Sequence, residues 1–154
     1  MTDVVEEVTL EGGVLVGHDG SESSGEAVRY AADLAIRLRC PLHVLRAWVI
    51  TNAPRPDTQQ VGYVAPLADY EAAVRDHLAR DVEELGLPGD VMLHVVHGRS
   101  SKELLHAATG AELLVVGRRG EGGFRGLGFG STADQVVRHA PCPVVVVPGH
   151  RSDH

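Results

Sequence analysis

Lysine is nearly absent from this chain: Lys102 is the only one among 154 residues. A Walker A phosphate loop needs a lysine directly before its Ser or Thr, to reach the terminal phosphates. Here Gly130 stands before Ser131, so that loop is excluded. Cysteine is scarce too, and Cys40 and Cys142 are too few for a disulfide framework. Positive charge is in deficit, with 14 Lys and Arg against 21 Asp and Glu, for a formal charge of −7. That balance argues against nucleic acid or an anionic membrane as the main partner, since both require a positive surface. No apolar run approaches a membrane span, and the opening MTDVVEEVTL is acidic instead of signal-like. These absences predict a cytoplasmic protein with reduced thiols. It is read as a single domain over residues 1–154, long enough to bury most of its apolar surface in one core.

What is present alternates between two periodicities. GVLVG (Gly13–Gly17), PLHVLRAW (Pro41–Trp48), DVMLHVV (Asp90–Val96), ELLVVG (Glu112–Gly117) and PVVVV (Pro143–Val147) are short apolar runs, as expected of strands buried on both faces. Between them lie helical spacings: Ala27, Ala31, Leu34, Ala35 and Leu38; then Leu67, Tyr70, Val74, Leu78, Val82 and Leu85, closed by Gly86. A short helix through ELLHAA and a last one over Ser131–His139 complete the series. Ser23 with Glu26, and Ser100 with Glu103, have the spacing of capping boxes. Residues 49–66 carry three prolines and no clean period, the mark of a long loop. A β-α-β-α-β-α-β-α-β order predicts an α/β fold: an open, mostly parallel five-stranded sheet with helices on both faces.

The most unusual stretch is GRRGEGGFRGLGFGST, Gly117–Thr132, with seven glycines in its first fourteen residues. It joins the carboxyl end of the fourth strand to the amino end of the last helix, the edge where open α/β sheets bind ligands. A helix amino terminus presents unpaired N–H groups and partial positive charge, which suit a phosphate. Glycines let the backbone approach such a ligand without a Cβ in the way. Taken singly, Gly117 and Gly120 read as turn glycines and Ser131 with Asp134 as a plain cap, but seven glycines in one strand-to-helix connection favour the phosphate cradle. Gly128, Gly130 and Ala133 fit G-x-G-x-x-A, but eleven residues beyond the strand instead of at its first tight turn, so a dinucleotide fingerprint is rejected.

The remaining spacing is Gly117, two residues, Gly120, nine residues, Gly130, Ser131. It resembles the nucleotide-binding signature of the universal stress protein family, in its ATP-binding branch. VLVGHDGSESSGEAVRYA is similar to that family's first strand and helix, and VVRHAPCPVVVV to its ending. The resemblance implies a Rossmann-like sheet of strand order 3-2-1-4-5, with the site where strands one and four diverge. It implies ATP, with Mg²⁺, as the cofactor. Asp19 would lie by the nucleoside, as a carboxylate accepting from ribose hydroxyls or the adenine amino group; read locally it is an Asp-Gly turn. Ala47 falls where the family reads the adenine edge with backbone atoms, and reads equally as core. Gly117 and Gly120 would pass beneath the ribose and phosphates, while Gly130, Ser131 and Thr132 would hold the β- and γ-phosphates. Arg118, Arg119 and Arg125 make the loop locally positive, with Arg119 counted among the binding candidates and loop solvation the alternative for each. The chain departs from the family at Ala133, where a second Ser or Thr is frequent; Thr132 supplies a hydroxyl one position early.

Histidine and cysteine add less. His94 and His97 stand three apart on a strand, face opposite ways and do not chelate one metal together. His18 and His97 are near strand carboxyl ends and could rim the site. Cys40 and Cys142 read as buried thiols at the opposite edge. Neither a general base nor an adenylating motif is evident, so nucleotide binding without efficient turnover is expected, in a regulator of the stress response and not an enzyme. A scaffold that binds no nucleotide and a slow ATPase are the alternatives. As an edge, Pro143–Val147 would expose four valines and invite antiparallel pairing with a second copy, forming a homodimer as the family commonly does.

Overall fold

The computed structural model describes residues 4–119 and 129–149. Its elements are β1 (Val14–Gly17), α1 (Glu22–Leu38), β2 (Leu42–Trp48), α2 (Leu67–Leu85), β3 (Val91–His97), α3 (Ser100–Ala108), β4 (Leu113–Gly117), α4 (Ser131–His139) and β5 (Val144–Val147). The strands form one sheet of order β3-β2-β1-β4-β5, every neighbouring pair parallel. The expected architecture and strand order are both present.

The apolar strand runs follow from a sheet covered twice. Val14, Val16, Leu42, Val44 and Val95 face α1 and α2, in a cluster with Ala27, Ala31, Val74 and Leu78. Leu15, Leu45, Val96, Leu114 and Val116 face α3 and α4, with Leu104, Ala107, Ala133 and Val136. Successive strand residues point to opposite faces, so a strand buried on both sides reads as apolar throughout. The small residues Ala27, Ala31, Ala32 and Ala35 give α1 a flat inner face, and all four are buried.

Both capping boxes are corrected. At α1 the N-cap is Ser21, whose hydroxyl accepts from Ser24 N at 3.1 Å; Ser23 lies inside the helix. The Asp-Gly turn sets this register: Ser21 N donates to Asp19 Oδ1 at 2.9 Å and Gly20 takes φ +89°, so the chain enters the helix immediately. At α3 the N-cap is Arg99 with no side-chain cap, and Ser100 is already helical. Gly130 is the N-cap of α4, again without a side-chain cap, and Asp134 pairs with Arg138 at 3.1 Å.

Two segments gain structure that their composition did not announce. Residues 4–10 run from the end of β3 along α3: Val5 O accepts from His97 N at 2.8 Å, Val5 N donates to Glu71 Oε2 at 3.0 Å, Glu7 pairs with His106 at 2.8 Å, and Val8 and Leu10 are buried in the α3/α4 cluster. In the 49–66 loop, Gln59 Oε1 accepts from Ala65 N at 2.9 Å and from Tyr70 OH at 2.8 Å, tying the loop to α2. Cys40 and Cys142 are half-buried, with burial raising both thiol pKa values. The β5 valines are half-buried instead of exposed, because each face still touches a helix layer. The outer backbone edge of β5 pairs with nothing among the described residues.

Candidate functional site

The strands are parallel, so all carboxyl ends lie on one edge, and each β-to-α connection delivers a helix amino terminus there. β1 and β4 sit side by side at the centre, with their helices α1 and α4 on opposite faces. This is the topological switch point, where open α/β sheets part their connections and leave a crevice.

Asp19 lies just beyond β1 and its Oδ1 accepts from Ser21 N, so the carboxylate is held by the turn it creates. Ala47 is next to last in β2, opposite Val96, and half-buried against the α3/α4 cluster. Gly117 ends β4. A Cβ built there would lie 3.2 Å from Ser23 Oγ, which sets the end of β4 against the first turn of α1. Arg118 N donates to Val147 O at 2.8 Å, and Gly130 N donates to Arg118 O at 2.7 Å, closing the glycine loop at its base. Gly130, Ser131 and Thr132 therefore open α4 directly beside the end of β4. Arg119 follows at the loop's start, whereas Gly120, with Arg125 and the rest of residues 120–128, lies outside the described residues.

Several contacts here were not read from the sequence. Thr132 Oγ1 and Ser100 Oγ are 2.8 Å apart, joining the first turns of α3 and α4. One of the two hydroxyl protons is spent in that bond, and the other is left to donate elsewhere. Ala133, the departure from the family pattern, is buried in the core cluster, where its methyl packs with Leu104 and Val136. On the other side of β1, His18, Arg46 and Asp81 meet. His18 Nε2 is 3.9 Å and Arg46 Nη1 3.8 Å from Asp81 Oδ2, while the guanidinium lies against Gly20. Burial lowers the His18 pKa and Arg46 lowers it further, against the opposing pull of Asp81 and Asp19. Arg46 was the available signal: apart from His43, it is the one polar residue of β2.

Three buried side-chain atoms along this edge make no hydrogen bond among the described residues: His18 Nδ1, Ser23 Oγ and Arg46 Nη1. Buried polar atoms are normally paired, so a group left open draws attention to what it could bind. This edge thus carries hydroxyl and N–H donors at the first turns of α1 and α4 and, beyond β1, an imidazole and a guanidinium that share the Asp81 carboxylate. That donor set suits an anionic, hydroxyl-bearing ligand. Glu71, elsewhere on the same edge, is structural: it accepts from Trp48 Nε1 at 3.1 Å and from Val5 N.

The model of the universal stress protein family matches residues 13–148, from the first strand to the end of the last. The chain belongs to this family. Among its relatives is a universal stress protein of Mycobacterium tuberculosis strain H37Rv, 37% identical over 139 residues, which cover 86% of this chain and 43% of the relative. The chain thus spans less than half the length of the curated universal stress proteins it matches. Among solved structures, a universal stress protein in complex with cAMP superposes with a TM-score of 0.58 at 27% identity, over 91% of this chain and 98% of the other. UspA from Lactobacillus plantarum reaches a TM-score of 0.65 at 22% identity, covering 92% and 99%, which speaks to the fold. No described helix is long and apolar enough to cross a membrane.

Proposed function

We propose that the protein binds an adenine nucleotide at the β1–β4 crevice, and that the nucleotide is ATP. The observation carrying this reading is the meeting of the α4 amino terminus with open buried polar atoms at the switch point of the sheet. The universal stress protein crystallised with cAMP supports the adenine class. Gly117, Arg119, Gly120, Gly130, Ser131 and Thr132 would hold the phosphates, chiefly through backbone N–H groups at the helix start. Asp19 would take the ribose hydroxyls, and the backbone at Ala47 would meet the adenine edge. No group of three His, Cys, Asp or Glu among the described residues is placed to hold a metal ion. Mg²⁺ would therefore arrive on the phosphates, keeping several of its waters, as it commonly does. In this reading the protein is a cytoplasmic regulator and not an enzyme. It works as a homodimer joined along β5, and nucleotide occupancy alters loop order around residues 49–66 and 118–129.

Calorimetric titration with Mg-ATP, AMP and cAMP tests this. Saturable heat with Mg-ATP at one site per chain, exceeding that with AMP and cAMP, is the expected result. Tighter binding of AMP or cAMP would keep the adenine site and overturn ATP as its ligand. Absence of heat with all three at millimolar concentration would overturn the site itself.

A further inference from the structure

Away from the crevice, towards the amino ends of β2 and β3, three metal-ligating side chains share one face of the sheet. His43 and Met92 are directly opposite in the β2–β3 register, and His94 is two residues beyond Met92 on the same face. His43 Nδ1 and His94 Nε2 are 2.9 Å apart, with ring centroids at 5.1 Å. His43 is buried and seated beneath Gly13, where a Cβ would come within 2.8 Å of its ring. Met92 is 48% exposed on edge strand β3, so the cluster can be reached from solution.

We propose that His43, Met92 and His94 form a binding site for a soft monovalent metal ion, copper(I). Two imidazole nitrogens on one metal, each about 2.0–2.1 Å from it, lie about 3.3–3.6 Å apart at tetrahedral to trigonal angles. The pair therefore needs to open by only about half an ångström. The proton now shared between the facing nitrogens moves to the outer nitrogen of its own ring, so no proton is released on binding. The third donor decides the metal. No carboxylate or thiol completes the set among the described residues. The thioether of Met92, opposite His43 in the register, would be that donor, and thioether with imidazole selects copper(I) over hard divalent ions.

The test is anaerobic titration of the protein with copper(I), followed by imidazole ¹H–¹⁵N and methionine-methyl NMR. One equivalent should shift His43, His94 and Met92 and leave His18, His97 and His106 unmoved. Met92→Leu, at an exposed position that leaves folding intact, should weaken binding by about tenfold or more, and His94→Gln by at least as much. The proposal is overturned by absence of shifts, by binding that follows Cys40 or Cys142 instead, by undiminished affinity in Met92→Leu, or by zinc(II) binding as tightly as copper(I).

Discussion

Replacing Gly117 by alanine separates a ligand-binding glycine from a structural one. The added methyl would lie 3.2 Å from Ser23 Oγ, 3.4 Å from Ser23 O and 3.5 Å from Arg119 O. Only the first contact is tight, and Ser23 Oγ makes no hydrogen bond among the described residues that would hold it in place. A small rotation of that hydroxyl relieves the crowding at a cost of about 1 kcal/mol or less, the low end for an overpacked site. Exchanging glycine for alanine inside a strand returns about 0.5–1 kcal/mol of backbone entropy. The two nearly cancel, so the midpoint of thermal unfolding should move by no more than about 2–4 °C. Binding should respond quite differently. The methyl fills the gap between the end of β4 and the first turn of α1, where the nucleotide would pass, and Mg-ATP affinity should fall by about tenfold or more, about 1.4 kcal/mol. Calorimetry and thermal unfolding on the same preparation read both quantities. Unchanged affinity, or a loss of stability as large as the loss of binding, would rule out a ligand-contacting role for Gly117.

Glu71→Ala removes the acceptor of Trp48 Nε1 and Val5 N and leaves a buried indole N–H unpaired, so it should cost about 3–5 kcal/mol in urea unfolding. Glu71→Gln, which keeps one acceptor oxygen, should cost less than half of that. Burial lowers the pKa of His18, His43 and His94, so the unfolded chain takes up protons near pH 6.5 while the native state does not. Stability should be flat above about pH 7 and fall as the pH drops through 6.5 towards the lowered native values, by at most about 1.4 kcal/mol per pH unit for each histidine. Stability rising over that interval, measured by urea titration, would contradict it. Pro143 O and Val147 O accept from β4, so alternation turns the N–H groups of Val144 and Val146 to the open edge. Val146→Pro should therefore preserve the β4–β5 ladder and convert a dimer to a monomer in light scattering; a persistent dimer would mean that another surface joins the copies.

Element positions were legible because each apolar run had one explanation. PVVVV and ELLVVG are too short for helices and too apolar for exposed strands, and the two pair in parallel as β5 and β4. The strand order was not readable from periodicity, which fixes faces and not neighbours; it came from the family resemblance. Capping was misassigned at α1 because three serines lie in GSESSGE, and the preceding Asp19–Gly20 turn, not spacing, selects Ser21. Residues 4–10 stayed unread because Val5 and Leu10 acquire meaning only against β3 and α3. The glycine signature indicated the β4–α4 half of the crevice. The half formed by His18, Arg46 and Asp81 joins residues up to 63 positions apart, and pairing at that distance leaves no local pattern.

Nucleotide occupancy of the purified protein is the most direct test of the account. The protein should be denatured after extensive buffer exchange and the released small molecules identified by mass spectrometry, with Gly117→Ala prepared in parallel. The native protein should release ATP in amounts approaching one per chain, and the variant little. Release of no adenine nucleotide, together with no heat on titration with millimolar Mg-ATP, would contradict it.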